Sequence, residues 1–150
     1  MSDNLLVLQD VHKSFIMGEQ TMNILNGINL NISSGEIVCI FGPSGAGKST
    51  LLNVIAGISK PSFGRVFLNG VDLYNLNDKS LSYLRGQKIG FVFQFYNLLP
   101  EFTALENAVI PSLICKRDPN GKDKAEKLLT ELGLKDRLNH RPGELSGGEQ

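Results

Sequence analysis

The chain has 150 residues, 15 Lys and Arg against 15 Asp and Glu, and a hydrophobic share of 41%. That composition fits a folded globular chain rather than a disordered one. Zero net charge leaves no basic excess to neutralise a phosphodiester backbone, and 7% aromatics with no Trp gives no base-stacking platform, so nucleic acid is not expected as a partner.

The first third reads as β. Leu6, Leu8 and Val11 precede a polar loop at residues 18–23; Ile28, Leu30 and Ile32 then alternate with Asn29 and Asn31, the period of a strand with one wet face. Before any of this, the N-terminal residues show neither a basic n-region nor a long apolar h-region, so no signal peptide is expected. Ser33, Ser34 and Gly35 form a turn. The run at residues 37–41 is continuously apolar, as in a strand covered on both faces, and Cys39 within it reads as a buried, reduced thiol. Behind a glycine-rich stretch, residues 49–57 are apolar on most sides and read as a buried helix with Gly57 past its end.

Residues 60–64 are turn formers. A short strand at 65–68 closes in Asn69-Gly70, a hairpin signal. Asp78 can cap a helix reaching about Gln87, and residues 89–93 form another short apolar strand ending at Gln94. The last third carries Pro100, Pro111 and Pro119, then an amphipathic helix from Lys122 to Leu132 ended by Gly133, and a loop over 139–143. Cys39 and Cys115 lie far apart, and no Cys/His cluster has zinc spacing. No stretch approaches the ~18 apolar residues of a membrane span, so a membrane role is expected only through a partner.

Gly42-Pro43-Ser44-Gly45-Ala46-Gly47-Lys48-Ser49 fits G-x-x-x-x-G-K-[ST] at every fixed position. Glycines let the chain wrap with its amide N–H groups inward, as an anion nest, and the following helix adds the partial positive charge of its N-terminus. In such a loop the Lys48 ammonium reaches the β- and γ-phosphates, and the Ser49 hydroxyl ligates Mg²⁺, with Thr50 completing the cradle. Asp118-Pro119-Asn120-Gly121 matches the D-x-x-G of GTPases, but no apolar strand delivers it and no N-K-x-D occurs, so it reads as a surface turn.

At the other end stands Leu145-Ser146-Gly147-Gly148-Glu149-Gln150. Ser146 as N-cap with Glu149 three residues on makes a capping-box pattern, and the two glycines expose backbone that a phosphate can approach. L-S-G-G-E, an upstream phosphate loop and an apolar strand ending in Gln together resemble the ATP-binding subunits of ABC transporters, along the whole chain. That signature argues against the other enzyme class sharing the loop, the P-loop kinases.

The resemblance implies an α/β fold: a P-loop NTPase core of ABC type with an N-terminal antiparallel β subdomain and a helical subdomain. Its implied division is residues 1–94 for the β subdomain and phosphate-loop portion and 95–150 for the helical part. ATP and Mg²⁺ are the implied cofactors. Phe15, where the family usually has Tyr, resembles the aromatic that stacks on adenine. Gln94 resembles the residue that senses the γ-phosphate through Mg²⁺ and the attacking water. Ser146, Gly147 and Gly148 would contact the ATP held by a second copy, so a homodimer is implied, docked on transmembrane permease subunits at the cytoplasmic face of the inner membrane.

Residues 95–107, with Asn139-His140-Arg141-Pro142, look most like the lipoprotein-releasing type; macrolide-export and cell-division relatives share much of the run. A cell-envelope ATPase that regulates without transporting is the other reading. His140 is not the family's switch histidine, and His12 has no implied role. The family's Mg²⁺-ligating Asp, catalytic Glu and switch His all follow the signature, so these 150 residues resemble the N-terminal part of a subunit: phosphate cradling present, hydrolytic residues and core strands expected beyond.

Overall fold

The computed structural model describes residues 4–115 and 119–150, which form two compact units, one running to Ile89 and the other Gly90–Gln150. Asp118 lies outside the described residues.

The first unit is built on a four-stranded antiparallel sheet. Strands β1 (Asn4–Met17) and β2 (Gln20–Ser33) form a long hairpin, and β3 (Phe63–Leu68) and β4 (Val71–Asp72) form a short one, in the order β2-β1-β3-β4. The long hairpin runs through most of the stretch expected to be a polar loop. Met17 pairs with Gln20 across a two-residue turn of Gly18 and Glu19, so polar residues 20–23 are strand, their side chains wet. Asn69 (φ 49°) and Gly70 (φ 76°) both take the left-handed conformation, the turn expected from Asn-Gly.

Leu6, Leu8 and Val11 of β1, Leu25 of β2, and Val66 and Leu68 of β3 meet Val54, Leu73 and Leu81 in one core. Val11, Val54, Val66 and Leu73 are fully shielded. Each such side chain contributes about 1.5–3 kcal/mol through burial. Val54 comes from α1 (Lys48–Ile55) and Leu81 from α2 (Asp78–Lys88). The cap of α2 is Asn77, whose side chain accepts from Ser80 N–H at 2.9 Å, not Asp78, which sits inside the first turn.

Three expectations in this unit fail for one reason. Residues 37–41 take no regular secondary structure and pair with no strand among the described residues: Ile37 is 97% and Phe41 87% exposed. Cys39 is therefore an exposed thiol rather than a core one. Helix α1 correspondingly packs on one side only; Val54 is buried, while Leu52 is 54% exposed. A strand of a parallel sheet exists through its neighbours, and no described strand takes that place.

Where the second unit begins, the expected strand at 89–93 is likewise absent among the described residues. Residues 90–93 take no regular secondary structure and pair with no strand among the described residues; the Phe91 and Phe93 rings stack at 5.4 Å, and Val92 is fully exposed. Helix α3 (Ala104–Cys115), which the prolines masked in the sequence, packs against α4 (Gly121–Glu131). Thr103 and Glu106 form a complete capping box at α3: Thr103 N–H and hydroxyl donate to Glu106 Oε2 at 2.8 and 3.0 Å, and Glu106 N–H donates to Thr103 Oγ1 at 3.2 Å. These bonds, the backbone one foremost, hold the Glu106 carboxyl below its usual range. Asn107 fastens the preceding loop. Its Oδ1 accepts from Leu99 N–H at 2.8 Å, and its Nδ2 faces the carbonyls of Leu99, Phe102 and Thr103 at 3.0–3.1 Å. Ala104 N–H donates to the His140 carbonyl at 2.8 Å, so His140 serves the start of α3 through its backbone.

Candidate nucleotide-binding site

Gly47 is the N-cap of α1, at φ 86°. Only glycine fits there twice over: the left-handed backbone disfavours any side chain, and a β-carbon would lie 2.9 Å from Ile24 Cγ2 and 3.2 Å from the Ile24 carbonyl. Ile24 is the extra residue of a bulge, since Lys13 pairs with Leu25 but Ser14 with Asn23. The hairpin thus pushes a bulge against the phosphate loop and fixes where α1 begins.

No side chain caps α1 at its N-terminus, and no acidic residue lies in its first turn. The partial positive charge there is left for an external anion. Lys48 bends back over the loop, its Nζ donating to the carbonyls of Gly42 at 2.9 Å and Pro43 at 2.7 Å. This ammonium is held beside the nest by neutral acceptors, which a phosphate oxygen outcompetes as a charge-assisted partner. Gly42, Pro43, Ser44, Gly45, Ala46 and Ser49 are exposed, Thr50 half-buried. The donor set suits a polyphosphate, and the Ser49 hydroxyl suits its Mg²⁺.

Phe15 pairs with Met22 on the hairpin, beyond the bulge that meets Gly47. It is 43% exposed and no part of the core. Lys13 Nζ lies 4.9 Å from the ring centroid and donates to the Lys60 carbonyl at 2.7 Å, which covers one ring face with a cation.

The second unit holds Gln94 and the signature. Gln94 is exposed at a bend directly after Phe93. Ser146, Gly147 and Gly148 lie exposed on a single turn, stabilised by Glu149, whose Oε2 accepts from Ser146 N–H at 2.8 Å and whose Oε1 accepts from Arg137 Nε at 3.0 Å. The Ser146 bonds first, then Arg137, depress the Glu149 carboxyl to about 2. Gln150 Nε2 donates to the carbonyls of Pro142 at 2.6 Å and Leu145 at 3.2 Å, closing the turn from behind. Tyr96 borders it as well: a β-carbon on Gly147 would stand 3.1 Å from the Tyr96 hydroxyl.

The family model for ABC transporters matches residues 25–150. The chain belongs to that family. It is 47% identical to the lipoprotein-releasing system ATP-binding protein LolD of Saccharophagus degradans, over its whole length and 66% of that protein. It is 45% identical to the macrolide export ATP-binding/permease protein MacB of Vibrio parahaemolyticus, over its whole length and 23% of that protein. Among solved structures it resembles the ATP-binding cassette MJ0796, in a dimeric post-hydrolysis state bound to ADP and Pi, with a TM-score of 0.87 and 41% identity over 96% of this chain and 64% of that one. The fold is therefore that of an α/β ABC cassette, and the chain spans about two thirds of the length of its LolD relatives.

For this ABC-family chain, several supporting residues were not apparent as such in the sequence. Arg137 steadies the signature through Glu149, twelve residues away, and no spacing rule points to it. Lys13 acts on Phe15 through a face shared only in the folded hairpin. Asn107 and the Thr103–Glu106 box were findable: T-x-x-E before an apolar run is a helix-start signature.

Proposed function

We propose that this protein is the ATP-binding part of a membrane ABC transporter and that its whole form couples ATP hydrolysis to release of lipoproteins from the inner membrane. The observation that carries this is the pairing, in one chain, of an uncapped helix N-terminus behind a phosphate loop with an exposed Ser146-Gly147-Gly148 turn.

In this reading, residues 1–94 bind nucleotide and residues 95–150 present the signature. Residues 42–50 cradle the phosphates of ATP, Ser49 and Gln94 hold Mg²⁺, and Phe15 offers its uncovered ring face to adenine. Bound Mg²⁺ neutralises charge on the β- and γ-phosphates. Ser146, Gly147 and Gly148 face the nucleotide of a second copy; MJ0796, solved as a dimer, supports this arrangement. Among the described residues no helix is long and apolar enough to cross a membrane, which fits a peripheral subunit docked on a permease at the cytoplasmic face.

The 47% identity to LolD supports lipoprotein release. The 45% identity to MacB supports macrolide export on the same residues, so the membrane partner is the discriminating observation. The test is to express the intact protein in its host, isolate it with its membrane partner and identify that partner by mass spectrometry. A two-permease complex that releases a lipoprotein from proteoliposomes on ATP addition supports the reading. Isolation with a MacB-type permease, or with no permease, overturns lipoprotein release.

A further inference from the structure

Helix α1 presents the phosphate loop at its N-terminus, and its other end is fastened by side chains from two other elements. Tyr74, in a single helical turn (Leu73–Asn75), places its hydroxyl 2.6 Å from the Val54 carbonyl and 2.7 Å from the Ser59 carbonyl. Arg85 of α2 donates from Nη1 to the Gly57 carbonyl at 2.7 Å. Backbone turns engage two more tail carbonyls: Leu52 accepts from Ala56 N–H at 2.9 Å, and Asn53 from Ile58 and Ser59 N–H at 2.9 and 3.1 Å. Burial pushes the Tyr74 phenol up to about 12, so it remains a donor throughout the physiological range. The Arg85 guanidinium sits where the negative end of the helix dipole favours a cation.

We propose that Tyr74 and Arg85 are positioning residues for phosphate binding: by clamping the C-terminal end of α1 they fix the aim of the loop at its N-terminal end. The proposal rests on the phosphate-loop reading of residues 42–50. An eight-residue helix is a rigid rod of about 12 Å. Its N-terminal end bears on the Ile24 bulge at Gly47, one face seats Leu51, Val54 and Ile55 on the core, and Leu52 and Asn53 on the other flank are exposed. A short rod seated along one face only can still tilt on that face. The bonds that Tyr74 and Arg85 make at its C-terminal end remove that freedom. A swing that shifts the loop amides by a fraction of an ångström weakens every N–H to phosphate bond together, because hydrogen bonds depend steeply on distance and angle. Neither residue has a hydrogen bond to the loop, so the effect passes through the helix and the core on which it is seated.

The test uses the intact protein and inorganic tripolyphosphate, a probe without a base, followed by titration calorimetry alongside thermal melting of the ligand-free protein. Tyr74→Phe and Arg85→Met are each expected to lower tripolyphosphate affinity by about fivefold, about 1 kcal/mol. Arg85→Lys, which keeps a donor for the Gly57 carbonyl, is expected to stay within about twofold of the parent. Hydrogen exchange at residues 44–50 should quicken in the two weakened variants and remain unchanged in the β1–β2 hairpin. A drop in melting temperature with undiminished affinity makes the clamp purely structural and overturns the proposal, as does Arg85→Lys behaving like Arg85→Met. Should Arg85→Met fail to fold, Tyr74→Phe and Arg85→Lys still decide the matter by the same criteria. Lys48→Ala in the same assay separates the two levels: full affinity there removes the phosphate-loop reading itself, whereas its loss with parental affinity in Tyr74→Phe and Arg85→Met removes only the clamp.

Discussion

Glu149 holds Ser146 from three residues ahead, its carboxylate accepting the Ser146 N–H at 2.8 Å. Together with the Ser146 hydroxyl and Arg137, that bond depresses the acid to about 2 from an ordinary 4.5. A depressed carboxyl stabilises the fold above its unfolded value and loses that contribution as pH falls through the folded one. The signature turn should therefore stay closed at neutral pH and loosen between about 4.5 and 2. The Ser146 amide resonance, followed by NMR across that interval, should move with an apparent midpoint well below 4; a midpoint at 4.5 or above would show that the bond is not held in solution.

In the proposed function Lys48 is the cation aimed at the phosphates, and in the structure it leans on two carbonyls of its own loop. Removing a charge-assisted bond costs about 1.5–3 kcal/mol, so Lys48→Ala should weaken ATP binding by about tenfold or more. Unchanged affinity by titration calorimetry counts against residues 42–50 as the phosphate site.

With Lys13 over one face of Phe15, a base has only the other face to stack on. Stacking reads a π-surface and not a hydrogen-bonding edge, so ATP and GTP should bind with similar affinity, and Phe15→Ala should weaken both alike. A loss confined to ATP would mean that the base edge is being read by groups other than Phe15.

Asn107 closes the loop ahead of α3 with one accepted bond and three close carbonyl contacts. Asn107→Ala should cost about 1–3 kcal/mol of stability in the second unit. Faster hydrogen exchange at the Leu99 amide is the direct readout. Parental exchange at Leu99 would show that the loop keeps its shape without the carboxamide.

What the sequence disclosed tracks how local each interaction is. The phosphate loop, the Asn69-Gly70 turn and the Ser146–Glu149 pair are set within a few residues, and all were legible from spacing. The two apolar runs at 37–41 and 89–93 were misread because an apolar run records only what a strand would bury, while its ladder depends on partners elsewhere. Cys39 inherited that error. Residues 20–23 were misread in the opposite sense: a hairpin whose end is wet on both faces carries no hydrophobic alternation, so Gln20 and Asn23 look like loop although they pair with Met17 and Ser14. Helix α3 was hidden by Pro111, which ordinarily argues against a helix interior, and by an apolar composition that marks no single face. Arg137 and Arg85 act on residues far along the chain, and nothing local to either announces its target.

Residues 37–41 and 91–93 give the last expectation. Both segments are apolar and without ladder partners among the described residues, and Ile37, Phe41 and Val92 are almost wholly exposed. Unpaired backbone beside exposed apolar side chains is a template for pairing with another chain. The 150 residues expressed alone should therefore self-associate, and should melt broadly rather than in one cooperative step. A charge in the middle of such a segment opposes pairing, so Val92→Lys and Ile37→Lys, together, should shift the chain toward monomer at equal concentration. Sedimentation velocity and a melt followed by circular dichroism give both readouts. The parent chain sedimenting as a monomer with a sharp melt would mean that these segments are covered in solution, by a rearrangement within the chain itself. Self-association unaffected by the two lysines would place the sticky surface elsewhere, with the exposed hairpin end at Ile16 and Met17 the next to charge.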